Sequence, residues 1–239
     1  MLAAIDSVTR AHFKAWGGFV TLEAKADSRF IYNNELSAKF HGYKHPEDSI
    51  GHSTKDTKSD VAECYETFHR YNQQVINSGV SLEIFDVHPD TEGKWHAWLG
   101  KRMPFYANQE EPEIIGVLYH GDEITCQASL ALAEQLAPRR GQWQGSYLVG
   151  CQALPIDLSR AQHHFLFWYL QGLSLPDIGA KLALNAPCCA QQLRTLQYCF
   201  AVRSPQQLRE RAISLGYAQR IPSALLHPLR LKVALCPTN

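Results

Sequence analysis

Long apolar runs are missing from this 239-residue chain. No window approaches the ~18 apolar residues that a membrane span requires. The start, MLAAIDSVTRAHFKAWGG, places Asp6 and other polar residues where a secretory leader needs an unbroken apolar stretch. A soluble, cytoplasmic protein with no membrane contact is expected. Ordered cysteine spacing is missing too. The seven cysteines, at 64, 126, 151, 188, 189, 199 and 236, are odd in number and show no CxxC pair or other metal-ligand spacing. That excludes a recognisable metal centre and favours reduced thiols over a disulfide framework. Cys188 and Cys189 are adjacent and could form a redox pair, but helical neighbours point about 100° apart, which sends one to a core and one to a surface. Also absent are a Gly-rich phosphate loop, a GxSxG elbow and an HExxH motif, and the carboxylates are scattered as on a solvated surface. No catalytic residue and no enzyme activity are expected.

Net charge is missing only in the sum, 23 Lys and Arg against 23 Asp and Glu. Residues 1–123 hold 12 Lys/Arg and 19 Asp/Glu, a net of −7, whereas residues 151–239 hold 9 Lys/Arg and 3 Asp/Glu, a net of +6. A basic back behind an acidic front suits a C-terminal part that meets a polyanion and an N-terminal part with another task.

What is present is 45% apolar content with 19% charged residues, the composition of a folded protein of two ordinary domains. In the N-terminal half GFVTLEAK alternates, RFIYNNEL begins as a strand, and CYETFHRYNQQVINSG has helical spacing up to a Gly stop. Three strand-like runs follow, VSLEIFDVHP, KWHAWLGKRMPFYAN and EIIGVLYHGDEIT, separated by turn segments. Leu82, Ile84 and either Asp86 or Val87 are expected on one face, with Trp98, Gly100 and Arg102 alternating along the next strand. This element order, and the passage RFIYNNELSAKFHGYKHPEDSIGHSTKDT in particular, resembles a PAS sensor of the PAS_4 type, over about 105 residues from Phe19 to Thr125.

PAS pockets hold haem, flavin or small metabolites. Flavin chemistry needs a Cys in an NCRFLQ-like segment; GHSTKDTKSD has none, and Cys64 lies elsewhere. Haem needs an axial ligand, for which His69 on the long helix is the one candidate, although a lone helical His usually packs or faces solvent. No cofactor is therefore expected, only an unidentified small molecule. The expected lining is Tyr65, Phe68, His69, Phe85, Trp98 and Phe105. His41 and His45 have i, i+4 spacing, but Gly42 weakens a helix there and no Glu accompanies them, so no metal site is assigned.

From Ile124 to Ala137, ITCQASLALAEQLA has the spacing of a helix, either a signal-carrying or dimerising connector or a helix packed on its own sheet. From Leu158 onward every run is helical: Ser159, Ser174, Asn185 and Ser204 are placed to cap four helices, and Gly172 and Gly216 to close two. LSRAQHHFLFWYLQGLSLPDIGAKLALNAPCCAQQLRTLQYCFAVRSPQQL resembles the LuxR-type helix-turn-helix domain without a gap, matching at Leu158, Ser159, Gly172, Ser174, Ile178, Leu182, Leu193, Leu196, Val202, Ser204 and Leu208.

Cys189, Leu193, Leu196 and Phe200 form one apolar stripe, which leaves Gln191, Arg194, Thr195 and Tyr198 for the major groove. The resemblance implies a bacterial regulator that binds double-stranded promoter DNA as a homodimer. Lys181, Gln191, Arg194, Thr195, Tyr198 and Arg203 would contact DNA, and Arg160, Arg209 and Arg211 would help to hold its backbone. A signal or protein partner at the PAS domain would shift the dimer. The departures are Pro187, Cys188 and Ala190, where the family carries polar or longer groups, Gln162 in place of Glu, and Ala201 in place of Gly. An apolar first turn forgoes phosphate contacts, at a cost of about a power of ten or more in affinity. A degenerate helix-turn-helix that binds protein instead of DNA is the alternative.

The expected fold class is α+β: an antiparallel five-stranded PAS sheet with flanking helices, then an all-α four-helix domain. The expected boundaries are an N-terminal helical extension over 1–17, the sensor over 18–125, a connector over 126–154, the helix-turn-helix domain over 155–218 and a tail over 219–239.

Overall fold

Asp6 starts the first helix, α1 (Ser7–Ala15), because its carboxylate accepts from the backbone N–H groups of Val8 and Thr9 at 2.9 Å each. The structure, a computed structural model, describes residues 5–107, 112–124, 145–150 and 154–226. It divides into two units, Met1–Ser146 and Tyr147–Asn239.

In the first unit, β1 (Phe19–Ala24) and β2 (Phe30–Asn33) are followed by α2 (Glu35–Phe40), three 3-10 turns and α3 (Tyr65–Ser78). The strands β3 (Leu82–Pro89), β4 (Trp95–Tyr106) and β5 (Ile114–Glu123) complete an antiparallel arrangement in the order β2-β1-β5-β4-β3. Gly79, at φ 66°, ends α3 in the left-handed conformation that a side chain would disfavour, as the Gly stop predicts.

Strand alternation sorts the side chains. Phe13 of α1 packs with Val20, Leu22, Ile31, Tyr32 and Leu118, and Met103 and Phe105 lie against this cluster. Its ring centre is 5.4 Å from that of Tyr32 and 5.9 Å from that of Phe105, so α1 is a packed part of the sensor unit. Trp98 and Arg102, of the other β4 parity, line a cavity together with residues of α2 and α3.

The second unit holds α4 (Arg160–Leu170), α5 (Leu175–Leu182), α6 (Ala186–Cys199) and α7 (Pro205–Ser214). Each starts where a hydroxyl or amide side chain accepts a backbone N–H: Ser159, Ser174, Asn185 and Ser204. Gln162 serves the capping box that a Glu would serve, its Oε1 accepting from the Ser159 N–H at 2.8 Å. Ile178, Cys189, Leu196, Phe200 and Leu208 form the buried core, while Leu193 of the expected stripe is only half-buried. Gly179 sets the turn between α5 and α6, because a Cβ there would stand 2.7 Å from the carbonyl oxygen of Leu184.

Two expectations need correction. The second unit is not all-α, since β6 (Ser146–Val149) pairs in parallel with β7 (Arg220–Ile221) through Leu148 with Arg220 and Val149 with Ile221. The described part of the C-terminal segment does not trail away either: Ile221 and Leu226 are fully buried, as apolar side chains next to a core will be. The connector helix expected over Ile124 to Ala137 lies, beyond the buried Ile124, outside the described residues.

Ala201 has a positive φ of 52°, a backbone conformation that suits the Gly which the resemblance leads one to expect there. The left-handed conformation costs Ala about 1–2 kcal/mol. Ala201→Gly is expected to stabilise the second unit by about 0.5–1 kcal/mol, after the greater freedom of an unfolded Gly is subtracted. An unchanged urea midpoint would contradict that strain.

Candidate nucleic-acid interface and ligand cavity

The candidate interface is one face of α6. Pro187, Cys188, Gln191, Arg194 and Tyr198 are exposed, Tyr198 to 87%. Pro187, Gln191, Arg194 and Tyr198 fall at i, i+4, i+7 and i+11 and form a single stripe opposite the core residues Cys189 and Leu196. Arg194 Nη2 donates to Gln191 Oε1 at 3.2 Å, so these two expected DNA contacts are brought together. Thr195 is half-buried and its hydroxyl donates to the Gln191 carbonyl at 3.0 Å, which commits the donor to its own helix.

Arg203 is exposed just beyond α6, where its backbone N–H is held by Gln207 Oε1 at 3.0 Å. Lys181 is exposed on α5 with its ammonium 4.5 Å from the Trp168 ring centre. Arg160 and Arg211 are exposed as well. Arg209 is different. Its guanidinium donates to the carbonyls of Leu170 at 2.9 Å and Tyr169 at 2.6 Å, and it lies over the Tyr169 ring. It therefore closes the C-terminus of α4, a structural task that sequence spacing could not reveal.

In the first unit a small cavity of about 40 Å³ is lined by residues that include Phe68, Asp86, His88, Trp98, Arg102 and Tyr119. Of the expected lining, Phe68 and Trp98 are there. Phe105 lies against the Phe13 cluster instead. Phe85 is fully buried outside the lining, and it is its neighbours Asp86 and His88 that reach the cavity. Tyr65 and His69 are half-buried and stack on each other at 5.8 Å, with His69 Nδ1 bonded to the Ser28 hydroxyl at 2.9 Å. His69, the one residue weighed as a haem ligand, thus has its Nδ1 engaged, and neither it nor Tyr65 is among the residues that line the cavity. His41 is buried just past α2 and His45 caps a 3-10 turn, so no helical face joins them. Among the described residues no group of three His, Cys, Asp or Glu side chains is placed to hold a metal.

The cavity wall is more polar than aromatic residues alone would predict. Arg102 Nη1 donates to Glu23 Oε2 at 2.6 Å and to Asn72 Oδ1 at 2.7 Å, and Asn72 Nδ2 donates to the same carboxylate at 2.8 Å and to Ser28 at 3.0 Å. All four side chains are buried. Tyr119 donates to Asp86 Oδ2 at 2.8 Å. Burial pushes the Asp86 carboxyl up, but the hydrogen bond and charge of His88, with Ser146 and Arg102, outweigh it and hold the group below its ordinary range. Burial and then Asp86 push the Tyr119 phenol well above its ordinary value. Among the described residues, Trp98 Nε1 and Arg102 Nε find no hydrogen-bond acceptor, which leaves two buried donors on residues of the wall.

Burial, and next the charge of His88, lower the His41 imidazole from 6.5 to about 3, so it is neutral at pH 7. The unfolded chain binds the extra proton between those values, so His41 contributes stability that is fully present above about pH 6.5 and lost as the pH falls toward 3. Between pH 7 and pH 5 the loss is about 2 kcal/mol. Urea melts of His41→Gln at the two pH values should show a difference smaller by that amount. An unreduced difference would assign the acid sensitivity to other groups.

No family model matches the chain, and no curated protein does. Among solved structures it is similar to the Vibrio cholerae VqmA dimer without its target DNA, a LuxR-type receptor, at 24% identity and TM-score 0.49, covering 93% of this chain and 94% of that one. A Vibrio cholerae VqmA–ligand–DNA complex is similar at 23% identity and TM-score 0.47, over 93% of each chain. A PAS domain from Colwellia psychrerythraea is similar at 16% identity and TM-score 0.39, covering 50% of this chain and 98% of that one. Among the described residues no helix is long and apolar enough to cross a membrane.

Proposed function

We propose that this chain is a PAS–LuxR type transcriptional regulator that binds promoter DNA as a homodimer and answers to a small molecule in its N-terminal unit. The observation that carries the reading is the exposed stripe of α6, with Gln191 and Arg194 paired on it and Lys181 and Arg203 exposed in the same unit. Gln191 can bond adenine bidentately, Arg194 can reach guanine or phosphate, and the flanking cations need only charge to grip the backbone. We assign the sensor to 18–125, the connector to 126–154 and the reader to 155–218.

The cavity supports a ligand of few atoms that offers acceptors to Trp98 Nε1 and Arg102 Nε. Such a ligand acts by stabilising one dimer arrangement over another, which changes the distance between two recognition helices. The exposed Pro187 and Cys188, with the half-buried Ala190 after them, favour a second reading, a helix-turn-helix that docks on protein with little DNA binding.

Selection of the purified protein against random duplex DNA at two salt concentrations separates the two. The proposal expects enrichment of a palindrome with a steep salt dependence. Weak retention without enrichment, with and without cell-extract metabolites, would select the protein-docking reading.

A further inference from the structure

His96, at the start of β4, has a carboxylate at each ring nitrogen. Nδ1 meets Glu123 Oε1 at 2.6 Å and Nε2 meets Asp90 Oδ2 at 3.0 Å. Trp98 pairs with Glu123 in the register of β4 and β5, so His96, two residues earlier on the same face, reaches that carboxylate diagonally. A carboxylate only accepts, so each contact needs an N–H, and an imidazole carries two of these only as the cation. The ring stacks on Trp98 at 5.3 Å and 14° and meets the edge of Phe40 at 6.0 Å, which holds it between the two acids. The other charged or titratable groups around it are His88, its register partner on β3, Lys39 of α2, and Glu92 and Lys94 of the β3–β4 turn, the last three lining the same surface hollow. The two carboxylates differ in freedom. Asp90 Oδ1 also accepts the backbone N–H groups of Glu92 at 2.8 Å and Lys94 at 3.0 Å, so its turn fixes it whatever the imidazole does. Burial pushes the Asp90 carboxyl up, but His96 and those two N–H groups outweigh it and hold the group below its ordinary range. Glu123 is the last residue of β5, and its side chain is 38% exposed against 20% for Asp90, so water replaces His96 more readily at Glu123.

We propose that His96 is a proton-operated clamp on the end of β5. As the cation it ties the β3–β4 turn to Glu123 across the start of β4. As the neutral ring it keeps one N–H, which stays with the fixed Asp90, while the other nitrogen turns a lone pair toward a carboxylate oxygen 2.6 Å away. Glu123 then leaves for water. The strand end that it releases runs directly into Ile124, whose buried side chain and N–H bond to the Ala97 carbonyl at 2.8 Å continue the contact with β4. Because the ring stacks on Trp98, a residue of the cavity wall, the proton acts next to the place where a small molecule would sit. The clamp makes the sensor unit answer to pH, and it does so whether or not the second unit binds DNA.

Hydrogen exchange of the full chain at about pH 5 and pH 8, the range in which an imidazole titrates, reads the strand end once the intrinsic pH dependence of exchange is divided out. Loss of one charge-assisted hydrogen bond predicts that protection at Glu123 and Ile124, relative to the middle of β5, falls about tenfold as the pH rises. The acid sensitivity assigned to His41 acts on the whole unit and in the opposite sense, so the internal reference removes it. His96→Gln and Glu123→Gln should each abolish the step, the first by removing the proton and the second by removing the charge that holds it, and circular dichroism checks that each variant folds. Equal relative protection at the two pH values in the native sequence overturns the inference. A step that survives both substitutions overturns it as well, because another group then carries it. Ring-nitrogen spectra of the native sequence with isotope-labelled histidine give a reading that depends on no variant's stability: His96 should lose one N–H between the same pH values, and a ring that keeps the same number of N–H groups overturns the clamp.

Discussion

Arg102→Ala is expected to lower the stability of the N-terminal unit by about 3–5 kcal/mol, the cost of stranding one member of a buried ion pair. Glu23 Oε2 receives both the Arg102 guanidinium, at 2.6 Å, and the Asn72 amide, at 2.8 Å, and it lies on β1 while its partners come from β4 and α3. Without Arg102 the carboxylate keeps its burial and loses its counter-charge. The guanidinium also lies 4.7 Å from the Phe68 ring centre and 5.2 Å from that of Tyr119, so its removal opens the cavity wall.

Urea unfolding of the full chain measures the loss, and the double variant Glu23→Met with Arg102→Met separates charge from packing. Removing both charges with replacements of similar bulk should restore most of the lost stability. A drop below about 1 kcal/mol for Arg102→Ala would mean that water solvates the pair, as at an exposed bridge. The double variant should also lose the ligand response if the Arg102 Nε donor faces the ligand.

The contrast between what sequence patterns reveal and what they hide is clearest at this cavity. Helix starts at Asn185 and Ser204, the Gly79 stop and the three strands after it were legible, because caps, turns and period-2 alternation are local signals. The alternation of Trp98 and Arg102 on one face of β4 was legible for the same reason. Which residue of β3 faces the cavity was not. An aromatic at Phe85 suggests a pocket wall, yet strand parity delivers Asp86 and His88. A buried carboxylate or guanidinium on a strand looks like a surface residue until its partner from another element is known, and Glu23, Asn72 and Arg102 are far apart in sequence. Arg209 misleads for the opposite reason: a charge on a basic helix looks available, while its donors are consumed by the carbonyls of Tyr169 and Leu170. At Ala201 the departure from Gly was visible, but only the φ of 52° shows that the backbone requirement persists without the residue that suits it.

Arg194→Ala should reduce affinity for the selected DNA ten- to a hundredfold, or about 1–3 kcal/mol. It is the one Lys or Arg on α6, exposed in the centre of the stripe, and the first turn ahead of it has no donor to compensate. The salt dependence then says what the guanidinium touches. If it bonds guanine, the variant relaxes preference at one base pair and keeps the slope of log affinity against log salt. If it bonds phosphate, affinity falls evenly across sequences and the slope drops by about 1. Arg194 Nη2 already holds Gln191 Oε1 at 3.2 Å, which orients the amide, so the variant should also blur any adenine preference proposed for Gln191. A double-mutant cycle with Gln191→Ala measures that coupling. Strict additivity would mean that the two side chains act apart on DNA, and unchanged affinity for Arg194→Ala would remove α6 from the groove.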